Sequence, residues 1–140
     1  MHIVANKNYL FAVCFTLLRP LFALNMSSGS VDADIYSVAY VTVPSTNAGK
    51  KIGYAVVKHK LAACVNIIPQ VTSIYEWENE INEDSEALLI IKTRTSLVDS
   101  LTTFVRAIHP YKVCEVISFP IKNGNPPYLK WIGETLPNVD

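Results

Sequence analysis

The side chains of this chain best suited to holding a metal ion are the Cys64 thiol, the His109 imidazole and, less strongly, the Glu115 carboxylate. Thiolate and imidazole suit Cu(I), Cu(II) or zinc, so the ion this set favours is copper or another divalent cation. The three residues lie on separate segments, and only the fold can bring them together. Each also has a plainer reading. Free cysteine often serves as a small buried hydrophobe, and an imidazole just before Pro110 can end a helix by bonding its last carbonyls. A second constellation is aromatic and polar: Tyr75, Trp77, Glu86, Lys92, Tyr128 and Trp131. Such residues line a ligand cleft between subunits, and the same rings fill subunit interfaces. Lys92 sits within an apolar strand, where a buried ammonium needs a carboxylate such as Glu86 or Glu115, or an anionic ligand.

Enzymatic chemistry finds little support, and the expectation is a non-enzymatic protein. A phosphate-binding loop requires GxxxxGK[ST], whereas Asn47-Ala48-Gly49-Lys50-Lys51 lacks both the leading glycine and the hydroxyl. An acylphosphatase-type site wants an arginine after the first strand, and Arg19, Arg94 and Arg106 all lie elsewhere. Twelve basic and twelve acidic side chains cancel, so no basic surface announces nucleic acid. Three cysteines, Cys14, Cys64 and Cys114, are an odd and widely spaced set. They form neither a disulfide framework nor a zinc knuckle, which suits a reducing compartment such as the cytoplasm or mitochondrion.

The elements that must position these residues are readable from periodicity. Ile35 to Val43 is rich in β-branched and aromatic residues and stops at Pro44, as a first strand buried on both faces would. Ser45 or Thr46 can cap a helix with Ala48, Ile52, Ala55, Val56 and His59 on one face, weakened by Gly49 and Gly53. Lys60 to Trp77 alternates as a long second strand. Ala63, Val65 and Ile67 share one face, and Val71, Ser73, Tyr75 and Trp77 keep that parity beyond Pro69, which marks a bend or bulge. Glu78-Asn79 suits a two-residue hairpin turn that sets Tyr75 opposite Asn82 and Val65 opposite Lys92. Ile81 to Thr93 is the return strand. Ser96 and Asp99 have capping-box spacing for a second helix, which Pro110 stops. Val113 to Phe119 reads as a fourth strand, with Cys114 as packing, and Pro126-Pro127 opens a terminal helix.

That order predicts an α+β, ferredoxin-like βαββαβ sandwich with a long hairpin between its second and third strands and an extra C-terminal helix. The sheet face away from the two main helices is too rich in Val, Ile and Leu to be solvated. Its expected cover is the terminal helix together with neighbouring subunits.

The first residues differ in kind. Lys7 precedes an apolar run from Tyr9 to Leu18, Arg19-Pro20 interrupts it, and no acidic residue occurs before Asp32. The run is shorter than the roughly 20 apolar residues of a membrane span, so a signal peptide or presequence is the favoured reading. The chain is thus divided into a leader and linker over residues 1–33 and a folded domain over 34–140. Secretory or membrane targeting, and any membrane contact, would run through residues 1–25, which a start at Met26 would remove.

Several separate motifs in one order carry a family resemblance. Lys60-Leu61-Ala62-Ala63-Cys64-Val65-Asn66-Ile67-Ile68-Pro69, Thr72-Ser73-Ile74-Tyr75-Glu76-Trp77, Ile91-Lys92-Thr93, His109-Pro110-Tyr111 and Tyr128-Leu129-x-Trp131 together resemble the CutA divalent-cation tolerance family. The resemblance spans about Ile35 to Gly133. It implies a ferredoxin-like homotrimer in which long hairpins pair strands between subunits. It also implies copper tolerance or divalent-metal binding, as in bacterial members, or a scaffold role in localising or processing a protein partner such as acetylcholinesterase, as linked to animal members. Where some members place a cysteine after the first strand this chain reads Val43-Pro44, and another such position falls near Phe104. Of the family's cysteines the resemblance therefore matches Cys64 alone and supplies no multi-thiolate site.

Overall fold

The computed structural model describes residues 35–139, and the expected leader, with Cys14 and Met26, lies outside the described residues. Eight residues of β1 (Tyr36–Val43) alternate between half-buried and buried, because Ala39, Val41 and Val43 face the helices while Val38, Tyr40 and Thr42 face the other way. Ser45 then accepts a hydrogen bond from the Ala48 N–H at 3.2 Å and starts α1 (Thr46–Lys58). β2 (Cys64–Trp77) and β3 (Glu80–Arg94) form the long hairpin. α2 (Val98–Ile108), β4 (Ile117–Pro120) and α3 (Pro126–Thr135) complete the chain.

The sheet runs in the order β2-β3-β1-β4 with every neighbouring pair antiparallel. Helices α1 and α2 pack on one face, so the fold is the ferredoxin-like α+β sandwich that the element order predicts. Its core joins Val41, Val43, Leu89 and Ile91 of the sheet to Ile52, Val56, Leu101 and Val105 of the helices. A smaller cluster, Leu97, Leu129, Ile132 and Leu136 with Ala63, seats α3 at one end of the sheet. Among the described residues, the terminal helix therefore covers part of the second face and leaves the rest open.

The hairpin turns on Glu78 and Asn79, both at positive φ (53° and 66°), as a two-residue turn matching the sheet twist requires. Tyr75 pairs with Asn82 as expected, but at the base Cys64, and not Val65, stands opposite Lys92. The reason is a bulge: Ile68 pairs with Leu88 and Val71 with Glu86, so Pro69 and Gln70 together face Ala87 alone. Gln70 takes a left-handed φ of 60° to make the bend. One added residue reverses the parity, so Tyr75 and Trp77 share the face of Cys64 and Asn66 and turn away from that of Val65 and Ile67.

Two further expectations change. Ser96 caps nothing: Thr95–Leu97 form a 3-10 turn before α2, held because the Thr95 N–H donates to Ile35 O at 2.8 Å and its hydroxyl meets Ser37 Oγ at 2.8 Å. The fourth strand is shorter than Val113 to Phe119. Extending the observed β1–β4 register would put Glu115 opposite Thr42, but the Thr42 carbonyl is taken by the His109 ring. Residues before Ile117 consequently leave the sheet and wrap over it.

The glycines of α1 make a prediction with opposite signs. A Cβ on Gly49 would stand 3.0 Å from Leu89 Cδ2 and 3.3 Å from Val43 Cγ2, whereas one on Gly53 meets nothing closer than Val65 at 3.5 Å. Gly49→Val should destabilise by about 2 kcal/mol through overpacking, and Gly53→Ala should stabilise by up to about 1 kcal/mol through helix propensity. Urea unfolding at one fixed protein concentration measures both, and equal signs would refute this account of the helix–sheet approach.

Candidate functional site

The bulge and the shortened β4 together enclose a cavity of about 590 Å³ under the hairpin arm. Its arm wall is Ser73, Tyr75 and Trp77, and Glu86 of β3 and Thr42 of β1 form its floor. The segment after α2 closes the far side with Tyr111, Lys112 and Glu115. Tyr75, Trp77, Glu86 and Glu115, which the sequence singles out in two separate sets, thus meet in one place.

His109 holds that segment in position. Its Nε2 lies 2.9 Å from Thr42 O, and its Nδ1 accepts the Tyr111 N–H at 2.9 Å. An acceptor at Nδ1 fixes the other nitrogen as the N–H donor, so the neutral ring bridges β1 to the loop. The ring also stacks at 5.2 Å, tilted, against Tyr111. Tyr111, which the sequence placed only within the His-Pro-Tyr motif, is a wall of the cavity. Its place directly after a helix-stopping Pro110 was the available signal.

The cavity is electrically negative at its hydroxyls. Tyr75 donates to Asp84 Oδ2 at 2.5 Å, and this bond, then burial, then the charges of Asp84 and Glu86 raise its pKa above the usual tyrosine value. Burial, followed by a hydrogen bond with Glu86 and the charges of Glu86 and Asp84, pushes the Tyr111 phenol up to about 12. Glu86 itself is only 7% exposed.

The remaining residues of the expected cleft lie elsewhere. Lys92, Tyr128 and Trp131 cluster at the other end of the face, because α3 docks there: Arg94 Nη2 donates to Gly133 O at 2.7 Å and the Ile121 N–H to Tyr36 O at 2.8 Å. Lys92 is buried against neutral partners, donating to Asn66 Oδ1 and to Ile90 O at 3.2 Å, and not against Glu86 or Glu115. Glu86 is six residues away along the same strand, roughly 20 Å at the usual rise. Cys64, half-buried, neighbours Tyr128, whose pKa is raised by burial and then by this thiol.

The candidate metal donors do not converge within one subunit. Cys64 pairs with Lys92 while His109 sits at Thr42, level with Leu88, a separation of roughly 13 Å along the strand direction alone. Both ring nitrogens of His109 are committed to backbone groups. Among the described residues no group of three or more His, Cys, Asp or Glu side chains could hold a metal ion. The described donors of one chain therefore do not by themselves assemble a copper site.

A ferredoxin-like sheet with an overlong hairpin arm and a cavity beneath it defines a distinct class of small α+β protein. Residues 37–135 match the family described as CutA1 divalent ion tolerance protein. A CutA homolog of Xenopus laevis is 53% identical over 131 residues, covering 92% of this chain and 87% of that one. The divalent-cation tolerance protein CutA of Thermus thermophilus is 47% identical over 97 residues, covering 69% of this chain and 94% of that one. Among solved structures, CutA1 from Oryza sativa superposes with a TM-score of 0.74 at 48% identity, covering 76% of this chain and 98% of that one. The chain belongs to the CutA divalent-cation tolerance family.

The tyrosine shifts make a prediction with a defined sign. Folding holds the Tyr111 proton more tightly than the ordinary 10.0, so its stabilising contribution is complete below pH 10 and is lost as pH rises through about 12. In a spectrophotometric alkaline titration, Tyr111→Phe should remove a late-ionising component and flatten the fall in stability over that window. Glu86→Gln should lower the Tyr111 midpoint without returning it to 10.0, because burial is the larger cause. An unshifted midpoint in Glu86→Gln would refute the contact.

Proposed function

We propose that the chain works as a non-enzymatic homotrimer in the response to divalent cations, with copper the ion it binds. The observation that carries the oligomer is the open sheet face: Val38, Tyr40, Leu88 and Ile90 are only half-covered, while Ile68, Ile117 and Phe119 are 43%, 53% and 44% exposed on the same side. A contiguous apolar face of this kind is stable in water when a second copy covers it. The number three follows from the family resemblance, as does the pairing of arms between copies. The family's name, which describes tolerance and no reaction, supports a non-enzymatic role.

The metal reading takes its form from the divided donors. Cys64 is the thiol on the open face, so copper is held there with the remaining donors supplied across the subunit boundary. His109 is assigned to positioning the loop, and Glu115 to the cavity wall.

Light scattering at micromolar concentration should give the trimer mass, and a stable folded monomer would defeat the proposal. In copper titrations Cys64→Ser should weaken binding by at least about tenfold, equivalent to about 1.4 kcal/mol. His109→Ala should leave affinity unchanged and cost about 1–3 kcal/mol of stability by orphaning the Thr42 carbonyl and Tyr111 N–H. Unchanged affinity in Cys64→Ser would remove the thiol from the site.

The arm favours a second reading. Ile74 and Ile81 share the arm face turned from the cavity and are 68% and 74% exposed, a small apolar tip of the sort that meets another protein. In that reading the trimer is a scaffold assisting the localisation or processing of a partner, with metal binding incidental. Partner binding retained after complete metal removal, and lost in Ile74→Asp, would favour it.

A further inference from the structure

The cavity under the arm has a chemistry that the metal reading leaves unused. Three aromatic walls, Tyr75, Trp77 and Tyr111, surround two carboxylates, Glu86 and Glu115, in about 590 Å³. That volume matches sites for small organic molecules, which run from roughly 300 to 1,000 Å³, and exceeds what a bare ion needs. Glu86 is more than nine-tenths buried, and among the described residues no salt bridge reaches it. The Tyr111 phenol is its neighbour, and a carboxylate offers roughly four acceptor positions. A buried carboxylate with acceptor capacity left over and no salt bridge is a site for a cation.

Anions are disfavoured by the same geometry. The Tyr75 hydroxyl is committed to Asp84 and the Tyr111 phenol lies beside Glu86, so each hydroxyl has a carboxylate neighbour that repels an anion. Lys112, the cation among the lining residues, lies on the exposed loop, where its flexible ammonium can remain in water. Among the described residues no group of three or more His, Cys, Asp or Glu side chains gathers here to hold a metal ion. Aromatic ring faces with carboxylates behind them attract organic ammonium groups, whose charge is spread over apolar substituents.

We propose that this cavity binds an organic ammonium cation, its charged head against Glu86 and Glu115 and its apolar body against Tyr75, Trp77 and Tyr111. Its lining comes from one subunit, its floor at Thr42 and Glu86 belongs to the face that the proposed trimer covers, and its chemistry is independent of both Cys64 and copper.

Three probes of one shape and different charge test it on the full-length protein in its native oligomeric state: benzylamine, benzyl alcohol and benzoate. Titration followed by calorimetry and by Trp77 fluorescence should show benzylamine binding at least about tenfold tighter than benzyl alcohol, with benzoate weakest. Glu86→Gln should erase the preference for the amine over the alcohol, and Trp77→Ala should weaken all binding of the amine by about tenfold. Should Glu86→Gln fail to fold, Glu115→Gln and Trp77→Ala, both at exposed residues, carry the same test. Equal affinity for amine and alcohol, tighter binding of benzoate, no binding, or no loss in the variants would each overturn the proposal. Chelator-treated protein and Cys64→Ser should bind benzylamine unchanged, so a failure of the copper reading leaves this result standing.

Discussion

Two residues of β2, Pro69 and Gln70, occupy the space opposite one residue of β3, and the arm's character depends on that mismatch. Below the bulge, β2 turns Val65 and Ile67 toward α1, where Gly49 and Gly53 admit the sheet at close range. Above it, an unbroken alternation would have carried the same parity outward and set Tyr75 and Trp77 on the helix side. The added residue reverses the faces, so the aromatic side chains of the arm fall on the side of Glu86. Proline fits this place because a bulge frees one position from ladder pairing, and its missing N–H then costs nothing. The cavity is thus made by a backbone irregularity, with side chains supplying its chemistry.

His109 makes the complementary contribution from the other side of the sheet. An edge strand that continued to Val113 would have paired its backbone with β1 and flattened the chain against the sheet. The imidazole instead satisfies the Thr42 carbonyl and the Tyr111 N–H, two backbone groups that would otherwise lack partners where β4 stops. With those groups satisfied, residues 110–116 can leave the sheet plane without an unpaired polar group beneath them. Tyr111, Lys112 and Glu115 are carried over the floor of the cavity by that departure. Thus the histidine that chemistry alone nominates as a metal ligand serves as backbone glue.

The degree to which the sequence disclosed this follows from what periodicity can and cannot count. The hairpin turn was legible because Asn79 tolerates positive φ, and counting outward from it placed Tyr75 opposite Asn82 correctly. The count failed at Lys92 because alternation marks a bulge by a proline without saying how many residues it adds. The Ser96-Asp99 capping spacing misled because Thr95 is tied to Ile35 and Ser37, which delays the helix by a tertiary contact absent from any local pattern. Of the candidate cleft, Tyr75, Trp77 and Glu86 converge, while Lys92, Tyr128 and Trp131 follow α3 to the opposite end. The aromatic composition was visible in the sequence, but its division into two ends depended on where a terminal helix docked.

That division also orders the electrostatics. One end of the open face holds Lys92, a buried ammonium with amide and carbonyl partners, and the other holds Glu86, a buried carboxylate with a phenol. Lys92 is hydrogen-bonded and Glu86 lies beside the Tyr111 phenol, but among the described residues neither has a salt bridge, and roughly 20 Å of strand prevents them from neutralising each other. In a low-dielectric interior such separation is unfavourable, and apolar replacements of similar size would serve stability at least as well. The balance changes once the face is covered, because any opposite charge brought to either end then acts with little solvent screening. The apolar strip of Val38, Tyr40, Leu88 and Ile90 lies between the two charges, so covering it would deepen the burial of both and raise the cost of leaving either without an opposite charge.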